Sequence, residues 1–529
     1  MLFCLAQNPE GILAPETNMQ LSKSQYVRGL QCHKALWLYK HKREAMTPVS
    51  AQQEFIFAGG HRIGKLAQEL FPGGTEIEHD PKNFDAMLEK TRALIDQGTD
   101  VIYEASFRSR DVFVMADILV RNGETWDLYE VKASTSVKPQ HGPDAAIQWY
   151  VIRDHLPLGR AHIVHVNRDY RFDGELDITR LLRIEDVTDS VHELLPGLDH
   201  NLASMNDMLS RDEPDIRIGM HCDDPYECAF KNYCWQQVPS PSVFDLYRMQ
   251  KNRKFELYHA GKVSYADVCG EQLTETQRLQ VDSALAGEPY IDREAIRDFV
   301  DSAVYPINFL DFETFSSAIP KFYGQQPYRT AIPFQYSLHI LHADGEIEHR
   351  EFLADERRDP RAEIAGRLAE DVTDEGSIIA YSQGTEKGII RRLSAESAEH
   401  ERSLLAMDDR FIDLLRPFQQ LMYYHPDFNG SFSIKSVLPA LFPDDPALDY
   451  KALDIQAGDM ASMIYAELDN VDDENERQKI REDLLAYCRL DTLAMVMIWR
   501  LLVDIARKSQ MSRIRPVSRL FRTKSDQFN

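Results

Sequence analysis

The chain has 529 residues, too many for one ordinary core, so about two to four domains are expected. Hydrophobic residues make up 43% and charged residues 27%, which describes a globular chain rather than a disordered or fibrous one. The formal net charge of −25 argues against a generic nucleic-acid binder, and no apolar run is long enough to cross a bilayer, so no membrane partner is expected.

Residues 1–18 read as an extension without the basic and apolar regions of a signal peptide. Seven cysteines in so long a chain do not suggest a disulfide framework, which points to a reducing, cytoplasmic compartment where clustered cysteines bind metal. Charge is segregated. Lys23 to Arg43 and the tail 506–529 are basic, and Asp469 to Glu482 is acidic. Each run also reads as a plain solvated face, and the tail as a disordered segment.

Ser22 or Ser24 can cap a helix running from Gln25. A second helical pattern covers about 52–70 and contains Gly59, Gly60 and Gly64 around His61. Glycines inside a helix cost stability, so they suggest close approach of a backbone or ligand. Strand patterns follow over 101–107, 112–120 and 126–133. Asn122-Gly123 makes the turn between the last two. The hairpin sets Asp117 on one strand and Glu130 and Lys132 on the next. Charges inside apolar strands need a reason. Two acids for a metal and a lysine to stabilise a pentavalent phosphate is one; an exposed hairpin with a cross-strand ion pair is the plainer alternative. A helix with Gln148 and Tyr150 comes next. Cys222, Cys228 and Cys234 close this half, and Cys32 lies far upstream.

Asp117, Glu130-x-Lys132 and Gln148 resemble the PD-(D/E)XK nuclease core, and His61 matches the additional metal-ligand histidine of its RecB-like branch. One cysteine before that core and three after it resemble the iron–sulfur members of the branch. The resemblance implies a 4Fe–4S cluster on Cys32, Cys222, Cys228 and Cys234, with zinc as the alternative for four thiolates. Tyr150 stands two residues after Gln148, where the branch often has Gln-x-x-Tyr.

Pro239 to Ser242 reads as a boundary and 239–300 as a helical connector. Beyond it, Ile307 to Phe315 is an apolar strand carrying Asp311 and Glu313 on one face. Two acids that close repel unless a cation lies between them. Strands are expected near 334–341, 347–353 and 378–381, and the last leads into a helix with Glu386 in its first turn. Tyr487 and Asp491 are i and i+4 on a further helix. Four carboxylates can hold two divalent ions about 4 Å apart for phosphodiester hydrolysis, with Tyr487 orienting water. Scattered surface acids are the plain alternative. Ser433 and Lys435 are candidates for phosphate contact.

Asp311-x-Glu313, Glu386 and Tyr487-x3-Asp491 resemble the motifs of DnaQ-like, RNase H-fold (DEDD-type) exonucleases in their tyrosine variant. Glu386 and Ser382 depart from the Asp and Asn usual there. Together the two halves resemble a bacterial uncharacterised family that fuses a RecB-like nuclease to such an exonuclease. The expectation is an α/β chain with five parts: extension 1–18, PD-(D/E)XK restriction-endonuclease-like domain 19–238 with a cysteine cluster, connector 239–300, RNase H-like 3′–5′ exonuclease domain 301–505, and basic tail 506–529. The implied activity is DNA end processing in repair or defence, with Mg²⁺ or Mn²⁺ on Asp117, Glu130, His61, Asp311, Glu313, Glu386 and Asp491. An RNA-directed exonuclease and a nucleic-acid-binding scaffold with inactive centres are the rival expectations.

Overall fold

The computed structural model describes residues 20–508, so the extension 1–18 and nearly all of the basic tail lie outside the described residues. The chain is mixed α/β and divides into two units, one of residues up to 237 with Ser317–Thr330, the other Val238–Ser316 with the remainder. Among the described residues no helix is long and apolar enough to cross a membrane.

The first unit is built on one sheet. Its strands are β1 (Leu21–Ser22), β2 (Thr75–Glu76), β3 (Val101–Ser109), β4 (Val112–Asn122), β5 (Thr125–Lys132), β6 (Leu158–Val166) and β7 (Leu182–Asp186). They run in the order β2-β3-β4-β5-β6-β7, with β1 paired to β4. The β4–β5 hairpin turns at Asn122-Gly123, where Gly123 takes φ +65°. β5 and β6 are parallel, so the chain must cross over between them, and the helix His141–Ile152 makes that crossover. From Ala145 to Ile152 every residue of that helix is buried, and its apolar side chains join the main core of the unit. Ser22 and Gln25 form a capping box that starts the helix Lys23–Gln31 at a fixed place.

Residues 317–330 belong with this unit although the strand just before them, Ile307–Phe315, belongs to the other. Ala318 and Ile319 pack on the cluster around Ile63 and Ile118, and the Tyr328 hydroxyl donates to the Ala133 carbonyl at 2.9 Å.

In the second unit the 239–300 region is helical in part: Lys251–His259, Glu275–Ala286 and Arg293–Asp301. The stretch 243–259 is not one helix: a single 3₁₀ turn, Val243–Asp245, precedes the helix Lys251–His259. β8 (Tyr290–Ile291) pairs with β14 (Tyr423–Tyr424). The main sheet comprises β9 (Ile307–Phe315), β10 (Ile332–Leu341), β11 (Ile347–Leu353), β12 (Ile378–Ala380) and β13 (Phe411–Asp413), in the order β11-β10-β9-β12-β13. β9 to β11 are antiparallel, whereas β12 and β13 run parallel to β9.

The 34-residue helix Glu474–Arg507 lies across β9 and β10. It is anchored at buried polar points. Gln335 donates to the Leu484 carbonyl at 2.8 Å, and Thr492 meets Ser337 at 2.7 Å and His339 at 2.8 Å. Arg293 and Arg297, on a preceding helix, donate to the Ile505 and Ala506 carbonyls that the helix end leaves free. The presumed connector therefore supplies a brace for this unit.

Candidate active sites

In the first unit three acids stand abreast on neighbouring strands. The β3–β4 register sets Glu104 opposite Asp117, and the β4–β5 register sets Asp117 opposite Glu130. At that level the backbone pairing lapses on both sides, and Glu104 adopts φ +57°. The Val131 amide donates instead to the Asp117 carboxylate at 2.7 Å.

Glu130 is almost fully buried and heavily bonded. It accepts from Lys23 at 2.9 and 3.1 Å, from Gln148 at 2.5 Å, and pairs with Lys132 at 2.9 Å. Lys132 also donates to Asp144 at 2.5 Å. Burial alone would raise the Glu130 pKa, but Lys132 and Lys23 outweigh it and the carboxyl is held below its usual range. Asp117 has no such partner. Burial and the Glu130 charge push it up, and burial with the Asp117 charge pushes Glu104 up to about 7. The arrangement sets one acid in direct contact with two lysines beside two acids that form no direct ion pair among the described residues.

The structure thus brings Asp117, Glu130, Lys132 and Gln148 together. His61 is exposed on the helix Ala51–Gln68, and among the described residues neither it nor Asp117 and Glu130 belongs to a group of three ligand atoms within 4.8 Å. The glycines beside it meet no backbone either, since a Cβ at Gly59, Gly60 or Gly64 would find nothing within 4 Å. Tyr150 faces away from the acids, with Arg110 over its ring and its hydroxyl on Asp199. Sequence reasoning missed Glu104 and Lys23. Glu104 carried the same signal as Asp117, a lone acid in an apolar strand. Lys23 was hidden in a basic run, because nothing local says that its helix starts beside β5.

The four cysteines line one small cavity with Ala35 and Phe230. Cys32 joins two helices, Cys222 ends a 3₁₀ turn, and Cys234 ends the helix Lys231–Cys234. Burial raises the thiols of Cys32, Cys228 and Cys234, the last to about 11, and neighbouring cysteines add to each shift. Such a set resists ionisation until a cation shares it. No three of these sulfurs lie within 4.8 Å of one another. Cys4 lies outside the described residues, and Cys269 is exposed.

In the second unit Asp311 and Glu313 from β9 and Asp491 from the long helix bring ligand oxygens within 4.8 Å of one another. Glu313 is 8% exposed and Asp491 7%. Burial raises the pKa of all three, and mutual repulsion adds to the shift of Asp311 and Glu313. Glu386 is placed in the first turn of the helix Gly384–Glu396, which follows β12 through Ser382 at φ +71°. It lies outside the tight group, yet its charge acts on Asp311 and Glu313. Its buried Oε2 has no hydrogen-bond partner, and burial pushes it up to about 7.

The rim of this centre is aromatic and basic. The Tyr450 hydroxyl donates to Asp491 at 2.6 Å, and Lys435 donates to the Tyr487 oxygen at 2.9 Å. Cys488 lies 3.8 Å from the Asp311 carboxylate. A Cβ on Gly458 would stand 3.3 Å from Glu313 Oε2. Ser433 is exposed just ahead of the helix Ile434–Leu441. Tyr450 and Gly458 carried no motif in the sequence; they arrive from an irregular stretch whose course only the fold reveals.

The chain is similar to a domain of unknown function, DUF2779, over residues 308–433. That stretch includes Asp311, Glu313 and Glu386 and stops short of Tyr487 and Asp491. No curated protein and no solved structure matches the chain.

Proposed function

We propose that the chain is a divalent-metal-dependent nuclease with two centres that hydrolyses phosphodiester bonds, DNA ends being the substrate. The observation that carries this reading is the convergence of Asp311, Glu313 and Asp491, from segments far apart in sequence, into one buried acidic group. Buried acids with so little local cation are costly unless a hard divalent ion joins them, and oxygen donors suit Mg²⁺ or Mn²⁺. Such ions, when bound, stabilise charge on the attacked phosphate and activate water. Asp311, Glu313 and Asp491 would hold them, with Glu386 reaching in from its helix. Tyr487 accepts from and orients the attacking water. The resemblance adds 3′-to-5′ removal of nucleotides.

In the first unit Asp117 and Glu130 would hold the metal. Lys132 offers its charge to the phosphate, and Gln148 fixes the Glu130 carboxylate. Lys23 must yield part of Glu130 when a metal binds. The cysteines fit a 4Fe–4S cluster better than zinc. Zn–S bonds of about 2.3 Å in a tetrahedron set sulfurs roughly 3.8 Å apart, closer than any three of these lie. Anaerobically purified protein should contain iron and acid-labile sulfide; zinc alone contradicts the cluster.

Cleavage of end-labelled single-stranded DNA, duplex DNA and RNA with Mg²⁺ or Mn²⁺ tests the reading. Asp117→Asn and Asp311→Asn should each abolish one activity. The position of Glu386 outside the tight group favours one rival, a nucleic-acid-binding scaffold whose second centre is inactive; binding that persists with no Asp311-dependent cleavage selects it. Preferential cleavage of RNA selects the RNA-directed alternative.

A further inference from the structure

The geometry points to Lys435 as a positioning residue of the second centre, one that fixes the Tyr487 hydroxyl; this rests on the nuclease reading above. A phenol offers one hydrogen and two lone pairs and rotates among whatever partners it finds. At Tyr487 that freedom is narrowed: one lone pair receives Lys435 Nζ at 2.9 Å, and Asp491 lies one turn along the same helix. One lone pair is left, beside the acids of the metal group.

Lys435 is itself held on three sides. It donates to the Gln456 carbonyl at 2.9 Å, and its ammonium lies 4.9 Å from the Tyr487 ring centroid and 5.5 Å from that of Tyr450. Its backbone sits in the first turn of the helix Ile434–Leu441. The Tyr450 hydroxyl donates to Oδ1 of Asp491, the acid one turn along the helix from Tyr487. Lys435 therefore restricts Tyr487, and Tyr450 restricts Asp491. A lysine solvated for phosphate contact would extend away from the tyrosine; this one is turned inward. A water approaching the acids finds a single acceptor in a fixed direction, without any need for Tyr487 to ionise. Fixed orientation of this kind is worth on the order of 10²-fold in rate when lost.

The test uses the full chain and two readouts. The first is the ¹³Cζ resonance of Tyr487 in metal-free protein, assigned by its loss in Tyr487→Phe. Lys435→Ala should move that resonance, and Lys435→Arg, which can still donate, should restore most of it. The second is exonuclease kinetics with Mn²⁺ in the Asp117→Asn background, which silences the first centre. Lys435→Ala should lower kcat by about 10²-fold while KM stays within about threefold. In Tyr487→Phe, adding Lys435→Ala should cost less than about threefold more, because the residue it acts through is gone. An unmoved Tyr487 resonance overturns the proposal, and so does a full Lys435→Ala loss in the Tyr487→Phe background. An effect confined to KM assigns the lysine to substrate and overturns it too. If the resonance moves while Asp311→Asn cleaves as fast as its parent, the nuclease reading fails and the Lys435–Tyr487 coupling stands.

Discussion

Gly458 shows how little space separates the buried Glu313 carboxylate from its surroundings. A Cβ there would stand 3.3 Å from Glu313 Oε2, 3.5 Å from Oε1 and 3.6 Å from the Tyr487 hydroxyl. Nothing about its backbone demands glycine, since its φ is not positive. Close approach to the acid is therefore the reason for a glycine at the start of the helix Gly458–Glu467. Gly458→Ala should leave the fold intact, because alanine suits a helix, and should push Glu313 aside by a few tenths of an ångström. The expected outcome is an unchanged or slightly raised Tm with exonuclease kcat lowered about tenfold; equal activity would show that Glu313 has room to spare. The same scale shows what sequence could reveal. Asp311, Glu313 and Asp491 were legible because acids in apolar strands and buried helix faces are conspicuous. Lys435 was visible only as a candidate phosphate contact, since its inward turn depends on Tyr487, which is 52 residues away. His61 was legible as a motif position, yet its side chain faces solvent.

Among elements, β9 and the long helix matter most. The strand presents Asp311 and Glu313 on one face, as its alternation requires, and the helix sets Tyr487 and Asp491 one turn apart against it. Thr492 and Gln335 fix the sliding of one on the other. That register was not legible, because it depends on buried polar pairings rather than periodicity. The packing has an electrostatic consequence. Burial and the nearby Asp491 charge raise Glu313, burial raises Asp491, and burial raises Glu386 to about 7. An acid whose folded pKa exceeds its unfolded value adds stability that is full below the unfolded value, near 4, and lost as pH rises through the folded one. Glu386 alone corresponds to about 3 kcal/mol lost above pH 7. Metal-free protein should therefore show a Tm for the second unit that falls between pH 5 and 8, and Mn²⁺ should reverse the fall most strongly at the alkaline end. A Tm that rises over that range without metal would contradict the burial of these groups.

For the molecule as a whole, the chain divides between 237 and 238, close to the Pro239 at which the sequence pattern changes. The passage of 317–330 into the first unit was not legible, because nothing in Ser-Ala-Ile-Pro distinguishes a surface loop from a packed one. Net charge does not describe the two centres. The acids that give −25 are spread over the chain, whereas the lysines that the proposed function uses are local: Lys23 and Lys132 in one centre, Lys435 in the other. Two acidic centres of different architecture in one chain make a single chemical claim, metal-dependent phosphodiester hydrolysis. The most direct measurement is the rate of cleavage of labelled DNA in Mn²⁺ by the wild type and by the Asp117→Asn/Asp311→Asn double variant, purified anaerobically in parallel. Metal-dependent cleavage by the wild type that falls to background in the folded double variant is the expected result; equal cleavage by both proteins would contradict both centres at once.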